Sequence, residues 1–343
     1  MKKLLTAMSG GVDSAVSCAL LQKQGYEVGG ATMLLREGGE AEAEDARAAC
    51  GQIGVPFHLF RWQDAFRDSV EADFCRQYCA GRTPNPCVLC NRTMKFGKFL
   101  NEALALGYDG IATGHYARIE HSGGRHLLRV AADSSKDQTY MLYGLSQNQL
   151  GRSVFPLGDY TKARIREIAA DLGLQLASKH DSQDVCFIPD GDYSAYLVRR
   201  GVTLTPGRFR AMDGADLGPH RGAECYTIGQ RRGLGLSAGA RIYVVGKPWP
   251  DVTVGPDEAL FSRRVFVEDV NYIAVDRLLE PRRIRAKLRY TPRFAEALLI
   301  PGESGAELLF DTPQRAVTPG QSAVFYEDDY VLGGGIITGG ARN

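Results

Sequence analysis

The sequence has no apolar run that approaches the roughly 18 residues that a membrane-spanning helix needs. Its 343 residues are 44% hydrophobic and 24% charged, which is typical of a water-soluble globular protein. Gly10, Gly11 and Asp13 interrupt the apolar start too early for a secretory signal peptide. We therefore expect a cytoplasmic protein with no membrane partner, long enough for two or three domains.

An excess of charge of either sign is also absent. Lys and Arg number 41 against 40 Asp and Glu, so a nucleic-acid partner would have to bind local basic patches rather than the whole surface. The phosphate loop GxxxxGK[ST] is missing too, because no Lys follows the glycines at positions 10 and 11. No internal repeat or low-complexity tract indicates a solenoid or a disordered chain.

What is present near the start is a short loop between two apolar segments. Leu4–Ala7 predicts a buried strand, and residues 15–21 predict a helix that faces a core. Between them, Gly10 and Gly11 would let backbone N–H groups approach an anion at the helix N-terminus, where the helix dipole favours negative charge. Ser9 and Ser14 add hydroxyl donors. The alternative is an ordinary strand–helix turn with a serine cap.

The first 110 residues alternate strand-like and helix-like segments, which predicts a parallel sheet with helices on both faces. The predicted strands are 3–7, 28–34, 55–60 and 110–113, and the predicted helices are 13–24, 42–53, 64–78, 95–106 and 159–172. In such a sheet ligands bind at the carboxyl ends of the strands, where the loop at 9–14 also lies.

From about residue 201 the pattern changes to short strands punctuated by Gly and Pro. Residues 282–290, 295–300, 307–310 and 322–326 read as strands of a β-barrel. We therefore predict an α/β protein with three parts: a catalytic domain at 1–200, a small linking domain at 201–262, and a β-barrel-like domain at 263–343.

Eight cysteines in a cytoplasmic protein indicate thiol chemistry or metal binding more than a disulfide scaffold. Cys75, Cys79, Cys87 and Cys90 have a spacing close to that of a zinc ribbon. They could equally be buried inert thiols. The third possibility is a catalytic cysteine in the Pro-stiffened loop at 82–91, where a helix N-terminus, Lys95 and Arg92 would lower the thiol pKa.

Cys186 stands alone in a predicted short apolar strand, where a cysteine is usually part of the core. With a partner thiol it gains another meaning. Transfer of a persulfide sulfur followed by disulfide closure requires two thiols, one that attacks and one that carries sulfur.

A basic cluster lies in the predicted barrel. In a strand that starts at Arg283, the side chains of Arg285, Lys287 and Arg289 share one face, and Tyr290 follows them. Such a stripe is suited to RNA phosphates, with the tyrosine stacking on a base. The alternative is a solvated barrel face.

The string Ser9-Gly10-Gly11-Val12-Asp13-Ser14 resembles the pyrophosphate loop of ATP pyrophosphatases (the PP-loop superfamily), and the whole chain resembles the bacterial tRNA-specific 2-thiouridylases. The segments that carry the resemblance are 9–14, 83–91, 113–116, 136–140, 186–188, 226–235 and 319–326. Seven matches in order over most of the chain are highly specific.

The resemblance implies ATP-dependent insertion of sulfur at C2 of the wobble uridine (position 34) of tRNA, by a Rossmann-like PP-loop domain of the adenine nucleotide α-hydrolase type. AMP would be transferred to the C2 oxygen and pyrophosphate released, with Mg²⁺ offsetting phosphate charge. The residues implied for the nucleotide are Ala7, Met8, Ser9, Gly10, Gly11, Val12, Asp13, Ser14, Met33 and Gly114. Asp13 is a plausible Mg²⁺ ligand or, equally, an acid in the first turn of a helix.

The same match implies that Cys186 carries a persulfide received from a sulfur-relay or cysteine desulfurase protein. Cys90 would be the nucleophile that frees the sulfur, leaving a Cys90–Cys186 disulfide. Asn85, Pro86 and Cys87 occupy the positions that meet the target base, although many members have Asp in place of Cys87. That change leaves a second route open, since Cys87, Cys90 and Cys186 could hold an iron–sulfur cluster.

For the tRNA anticodon stem-loop, the match implies contacts from His115, Lys136, Asp137, Gln138, Arg289, Tyr290 and Gln321. Two other classes of function remain in competition. One is a different adenylating ligase with the same loop, which would need neither paired cysteines nor an RNA-binding barrel. The other is a zinc-stabilised RNA-binding module with a vestigial nucleotide fold.

Overall fold

The computed structural model describes residues 2–174, 185–236, 240–291 and 293–341. Within these ranges no helix is both long and apolar enough to cross a membrane. Residues 181–184, which precede the predicted strand at Cys186, lie outside the described residues.

The N-terminal part is built on a five-stranded parallel sheet. Its strands are β1 (Lys3–Ala7), β2 (Glu27–Leu34), β3 (Phe57–Arg61), β4 (Gly110–Ala112) and a short last strand, Ser153–Val154, in the order β3-β2-β1-β4 followed by that short strand. The order reverses between β1 and β4, which makes the carboxyl end of β1 the place where an open α/β sheet binds its ligands. The predicted loop at 9–14 begins there.

Helices cover both faces of this sheet. They are α1 (Val12–Lys23), α2 (Glu40–Ile53), two longer helices at 63–79 and 86–105, α3 (Gln147–Gly151), α4 (Lys162–Asp171) and α5 (Tyr193–Arg199). The helix at 63–79 is π-helical over Arg67–Glu71, and that at 86–105 is π-helical over Asn91–Phe99. The fold class predicted for this part is confirmed.

The helix at 86–105 begins where the sequence favours a beginning. Asn85 is its N-cap, and its side chain accepts a hydrogen bond from the Cys87 N–H at 3.2 Å. Pro86 occupies the first helical position, where a missing N–H removes no hydrogen bond. The two residues together fix the direction of the segment that carries Cys87 and Cys90.

The middle part is a separate four-stranded sheet of Gly207–Arg210, Asp216–His220, Tyr243–Gly246 and Val252–Gly255. Its core consists of its own side chains, among them Phe209, Cys225, Tyr226 and Val254. The predicted small linking domain is therefore present as a structural unit.

The C-terminal part is a closed antiparallel barrel. Its strands are Phe261–Tyr272, Arg282–Lys287, Ala295–Pro301, Gly305–Arg315, Ser322–Glu327 and Tyr330–Ala341, and pairing of the first with the last closes the sheet. A hairpin of Arg118–Ser122 and Arg125–Arg129, which belongs to the N-terminal part of the chain, adds two strands beside Tyr330–Ala341. The predicted β-barrel is confirmed; the hairpin, Phe261–Tyr272 and Tyr330–Ala341 were not predicted.

Two local predictions are wrong. The predicted strand at 282–290 ends at Lys287, so Arg289 is not part of its alternation. Cys186 lies in a turn rather than in a strand, because the chain folds back there with Ile188 N–H bonded to Val185 O at 2.8 Å.

Candidate active site

The loop after β1 is held in a shape that only glycine adopts easily. Gly10 has a φ of +70°, and a Cβ placed there would lie 2.4 Å from the backbone oxygen of Glu42. Any side chain at this position would push the start of α2 away from the loop. The glycine therefore lets the loop after β1 pack directly against the start of α2.

The two serines of the loop bind each other and the backbone. The Ser14 hydroxyl donates to Gly11 O at 2.9 Å and accepts from Ser9 N–H at 3.1 Å. Helix α1 starts at Val12 with Gly11 as N-cap and no capping side chain. Its first-turn N–H groups are therefore left to an external acceptor, which at a helix N-terminus is favourably an anion.

Asp13 is paired with a buried lysine of α4. Lys162 is only 8% exposed, and its Nζ lies 2.8 Å from both carboxylate oxygens of Asp13. The Tyr116 hydroxyl donates to Asp13 Oδ1 at 3.0 Å. Asp13 therefore binds a cation and a phenol at the edge of the loop, and both its oxygens accept hydrogen bonds.

A cavity of about 400 Å³ opens over the loop. Of the predicted nucleotide residues, those on its wall are Ala7, Met8, Ser9, Asp13, Ser14, Met33 and Gly114; the wall does not include Gly10, Gly11 or Val12. Gly114 permits close approach, since a Cβ there would lie 3.1 Å from Ser14 N. The cavity continues past Lys95, His115 and Gln138 to Cys186, so the loop and one of the two predicted catalytic cysteines line the same space.

Cys90 is buried in an aromatic cluster rather than presented to solvent. It is 8% exposed and packs with Phe66, Met94 and Phe187. Burial raises the pKa of the Cys90 thiol to about 12, and Lys95 opposes this only in part. The predicted lowering of this pKa is therefore wrong. Arg92, which was expected to help, instead bonds Asp269 on the barrel at 3.0 Å.

Cys186 is exposed and is anchored through its neighbour. Phe187 stacks edge-on against Phe74 and Phe66, at ring distances of 5.3 and 5.7 Å. Since these rings belong to the cluster that contains Cys90, the turn that carries Cys186 is fixed beside Cys90. All eight cysteines fall within the described ranges, and all are free thiols there.

Asn85 faces a second cavity, of about 530 Å³, between the 73–92 segment and the barrel. The ion pairs Arg82–Glu268 and Arg92–Asp269 bridge its two sides at 2.8 and 3.0 Å. Cys87 is exposed next to Asn85, and Pro86 is buried. Among the described residues no three or more His, Cys, Asp or Glu side chains are grouped so as to hold a metal ion, which includes Cys87, Cys90 and Cys186 as placed.

The residues expected to contact tRNA are divided between the cavity, the domain seam and the surface. His115 is buried against Phe96 and Phe155, and burial lowers its pKa well below the ordinary value. Asp137 is 6% exposed and bonded internally, whereas Lys136 is half-buried. Gln138 lines the cavity and accepts from Tyr116 N–H at 2.9 Å.

On the barrel, Arg289 is exposed and Tyr290 is 50% exposed. Gln321 donates to Thr83 O at 2.9 Å, which ties the barrel to the loop before Asn85. Lys287 does not belong to a solvated stripe: it is 5% exposed, with its Nζ 3.4 Å from Asp137 Oδ2. The predicted stripe of Arg285, Lys287 and Arg289 is therefore wrong, because Lys287 points inward.

Sequence reasoning missed Lys162 and Tyr116, which the chain brings to Asp13 from far away in sequence. A Lys in the first turn of an amphipathic helix usually faces solvent, so its sequence context carries no signal of burial. The start of α4 is local in origin, in contrast, because the Thr161 side chain accepts a hydrogen bond from Arg164 N–H at 3.3 Å.

Three family models match the chain. The tRNA methyl transferase HUP domain matches residues 2–190, the tRNA methyl transferase PRC-barrel domain matches 195–254, and the aminomethyltransferase β-barrel domain matches 262–337.

Curated relatives match nearly end to end. A tRNA-specific 2-thiouridylase MnmA from Pelotomaculum thermopropionicum is 45% identical over 98% of this chain and 97% of its own. One of the same name from Halothermothrix orenii is 46% identical over 98% and 99%. Among solved structures, a 4-thiouridine synthetase–RNA complex with bound ATP is 16% identical to this chain. The match covers 58% of this chain and 50% of that one, with a TM-score of 0.38.

Proposed function

The chain belongs to the tRNA-specific 2-thiouridylase family, and from that premise we propose that it is a tRNA-uridine 2-sulfurtransferase. It would use ATP to replace the C2 oxygen of the wobble uridine of tRNA with sulfur, releasing AMP and pyrophosphate. We propose that it acts in the cytoplasm, where its tRNA substrate is found. The division into a catalytic domain at 1–200, a linking domain at 201–262 and a tRNA-binding barrel at 263–343 is part of the proposal.

One observation carries the proposal: the cavity over the phosphate loop also has Cys186 on its wall. A nucleotide site alone would serve any adenylating ligase. A thiol on the same cavity supplies the atom that replaces the departing oxygen.

ATP would bind with its phosphates over the first turn of α1. The uncapped N–H groups of that turn and the Lys162 ammonium are suited to the phosphate charge. Met33 and Gly114 would border the nucleotide farther along the cavity. Mg²⁺ would be held mainly by phosphate oxygens and water, and would offset their charge.

Adenylation addresses the difficulty of the substrate. The C2 carbonyl of uracil is urea-like and a poor electrophile, and its oxygen leaves poorly. When that oxygen attacks the α-phosphate, pyrophosphate departs and the oxygen becomes part of AMP, which is a good leaving group. Asn85, Pro86 and Cys87 would position the base, with Asn85 reaching it from the second cavity.

The sulfur would arrive as a persulfide on Cys186, donated by a sulfur-relay or cysteine desulfurase protein. The Cys90 thiolate attacks the inner sulfur, a Cys90–Cys186 disulfide forms, and the terminal sulfur leaves as hydrosulfide. Hydrosulfide then attacks C2 and expels AMP with the old oxygen. A thiol reductant must afterwards reduce the disulfide. Since burial favours the neutral Cys90 thiol, the thiol must lose its proton before it attacks, and the nearby Lys95 favours that loss.

Three other readings are weaker. In the described part of the chain, Cys87, Cys90 and Cys186 are not grouped closely enough to hold an iron–sulfur cluster. The zinc-stabilised module is not favoured, because relatives of almost the same length are named as enzymes. Methyl transfer, to which the family models' description refers, gains no support from a thiol pair beside a nucleotide cavity.

The test is to incubate the protein with ATP, Mg²⁺, a persulfide donor and an unmodified tRNA transcript, and to analyse nucleosides by mass spectrometry. We expect 2-thiouridine at the wobble position, dependent on ATP. Cys90→Ser and Cys186→Ser should abolish the product while ATP binding persists. Sulfur-for-oxygen exchange and methylation change the nucleoside mass differently, so a methylated product would refute the proposal.

Two other cysteines provide controls. Cys225 is buried like Cys90 but lies in the core of the middle part, and Cys79 is exposed like Cys186 but does not line the cavity. Cys225→Ser and Cys79→Ser should retain activity. Iron and acid-labile sulfide are measured in protein purified without oxygen; full activity in an iron-free preparation supports the persulfide route, and activity that follows iron content contradicts it.

A further inference from the structure

A continuous set of contacts joins the barrel to the phosphate loop. On the barrel, Lys287 Nζ lies 3.4 Å from Asp137 Oδ2. The next residue, Gln138, is bonded to Tyr116, and the Tyr116 hydroxyl donates to Asp13 at 3.0 Å. The path begins in the proposed tRNA-binding part and ends in the proposed ATP site.

The barrel end of this path is fixed by buried charge. Asp137 is 6% exposed and Lys287 is 5% exposed, and Thr139 Oγ1 lies 3.0 and 2.8 Å from the two carboxylate oxygens of Asp137. Thr139 Oγ1 is also 3.2 Å from the hydroxyl of Tyr326 on the barrel. Separating a buried ion pair leaves an uncompensated charge, so the turn that contains Asp137 and the barrel wall must move together.

In the middle of the path, Tyr116 and Gln138 are joined by two reciprocal hydrogen bonds. Tyr116 N–H donates to Gln138 Oε1 at 2.9 Å, and Gln138 N–H donates to Tyr116 O at 2.9 Å. Tyr116 is 3% exposed, so its ring has no room to absorb a displacement. A shift of the turn at 136–138 therefore reaches the hydroxyl that bonds Asp13.

We propose that Tyr116 is a positioning residue that couples tRNA binding to ATP binding through Gln138 and Asp13. Bound tRNA on the barrel and the turn at 136–138 would stabilise the hydrogen bonds that hold Tyr116 against Asp13. Asp13 in turn keeps Lys162 and the first turn of α1 in place for phosphate. This inference rests on the proposed function, and it predicts that each substrate tightens the binding of the other by the same factor.

The experiment measures the dissociation constant of α,β-methylene-ATP, which cannot be split at the reacting bond, with and without saturating unmodified tRNA. For the unaltered protein we expect tRNA to tighten binding at least about fivefold. In Tyr116→Phe, which lacks only the hydroxyl that reaches Asp13, the ratio of the two constants should fall toward one. Because the readout is a ratio within one variant, any change in basal affinity cancels.

Tyr140→Phe is the matched control. Tyr140 is also buried and also bonds across to the barrel, but its hydroxyl donates to Ser322 O at 2.9 Å rather than to Asp137, Gln138 or Asp13. Its ratio should equal that of the unaltered protein. If Tyr116→Phe fails to fold, Thr139→Val, which removes a donor to Asp137, should show the same loss of coupling.

An unchanged ratio in Tyr116→Phe overturns the inference, and so does the absence of coupling in the unaltered protein. Neither result bears on the proposed function, which is judged by formation of 2-thiouridine. Absence of the thiolated product in the unaltered protein would instead remove the premise.

Discussion

Cys90 and Lys162 are the residues at which the candidate site differs most from what their sequence context predicts. A cysteine near a helix start with basic neighbours is expected to be a ready thiolate, but burial among Phe66, Met94 and Phe187 dominates its pKa. Lys162 is 149 positions from Asp13, so no local sequence pattern could predict that the two residues pair. Composition and motif spacing identify chemistry-bearing residues, whereas burial and long-range partners decide their state.

The strand, loop and helix around residues 9–14, in contrast, were predictable from the local sequence. The glycines at 10 and 11, the strand before them and the helix after them are all local features. What the sequence could not supply is the reason for Gly10, which is the approach of Glu42 from another helix.

We predict that Gly10→Ala abolishes nucleotide binding and destabilises the fold. The new Cβ would lie 2.4 Å from Glu42 O, and the alanine would have to adopt a φ of +70°. The strain of the backbone alone is about 1–2 kcal/mol, and the collision with backbone adds to it. Thermal unfolding and ATP titration measure the two effects.

Gly25→Ala separates the two causes. Gly25 has a φ of +86°, but nothing lies within 4 Å of its Cβ position, so the substitution introduces strain without collision. It should reduce stability by about 1–2 kcal/mol and leave ATP binding intact. Equal losses in the two variants would mean that the contact with Glu42 has no role.

At the scale of elements, glycine explains one of the strands that the sequence did not predict. Tyr330–Ala341 closes the barrel, yet its Gly-rich sequence is typical of a loop. A Cβ at Gly333 would lie 2.4 Å from Asn271 O, and one at Gly335 would lie 2.6 Å from Glu268 O. The glycines thus permit close packing against Phe261–Tyr272, a reason visible only once both strands are placed.

Two of the ion pairs on the strand Arg282–Lys287, one buried and one exposed, should contribute differently to stability. Lys287 and Asp137 are buried, so Lys287→Met should lower the free energy of unfolding by about 3–5 kcal/mol, since it leaves the Asp137 charge unpaired. Adding Asp137→Asn should recover much of that loss. Chemical denaturation of the single and double variants measures the coupling between the two residues.

The neighbouring pair is the control. Arg283 and Asp311 bond at 2.5 Å, but their side chains are 58% and 49% exposed. Screening by solvent weakens such an exposed pair, so Arg283→Met should change the free energy of unfolding far less than Lys287→Met does. A comparable loss from both single substitutions would show that burial does not govern the Lys287–Asp137 interaction.

At the scale of the whole molecule, the chain order and the cores divide the protein differently. The hairpin 118–129 comes from the N-terminal part but extends the barrel sheet, where Arg129 bonds Asp329 at 2.6 Å. One hydrophobic cluster also joins Tyr140 and Tyr143 to Val324 and Tyr326 of the barrel. The middle sheet, in contrast, has a core of its own.

We therefore predict that the N-terminal part and the barrel unfold together, while the middle sheet unfolds independently. A shared core makes the unfolding of one part expose the apolar surface of the other, which is the physical basis of cooperativity.

The two tryptophans allow a direct measurement: Trp62 packs in the N-terminal part against Phe60, and Trp249 lies in the middle part. Trp249→Phe leaves a reporter of the first unit and Trp62→Phe leaves a reporter of the second. Fluorescence of the two variants should show different midpoints in urea, and amide hydrogen exchange of the barrel should follow the Trp62 transition. A barrel that exchanges before Trp62 responds would mean that the shared cluster does not bind the two parts into one unit.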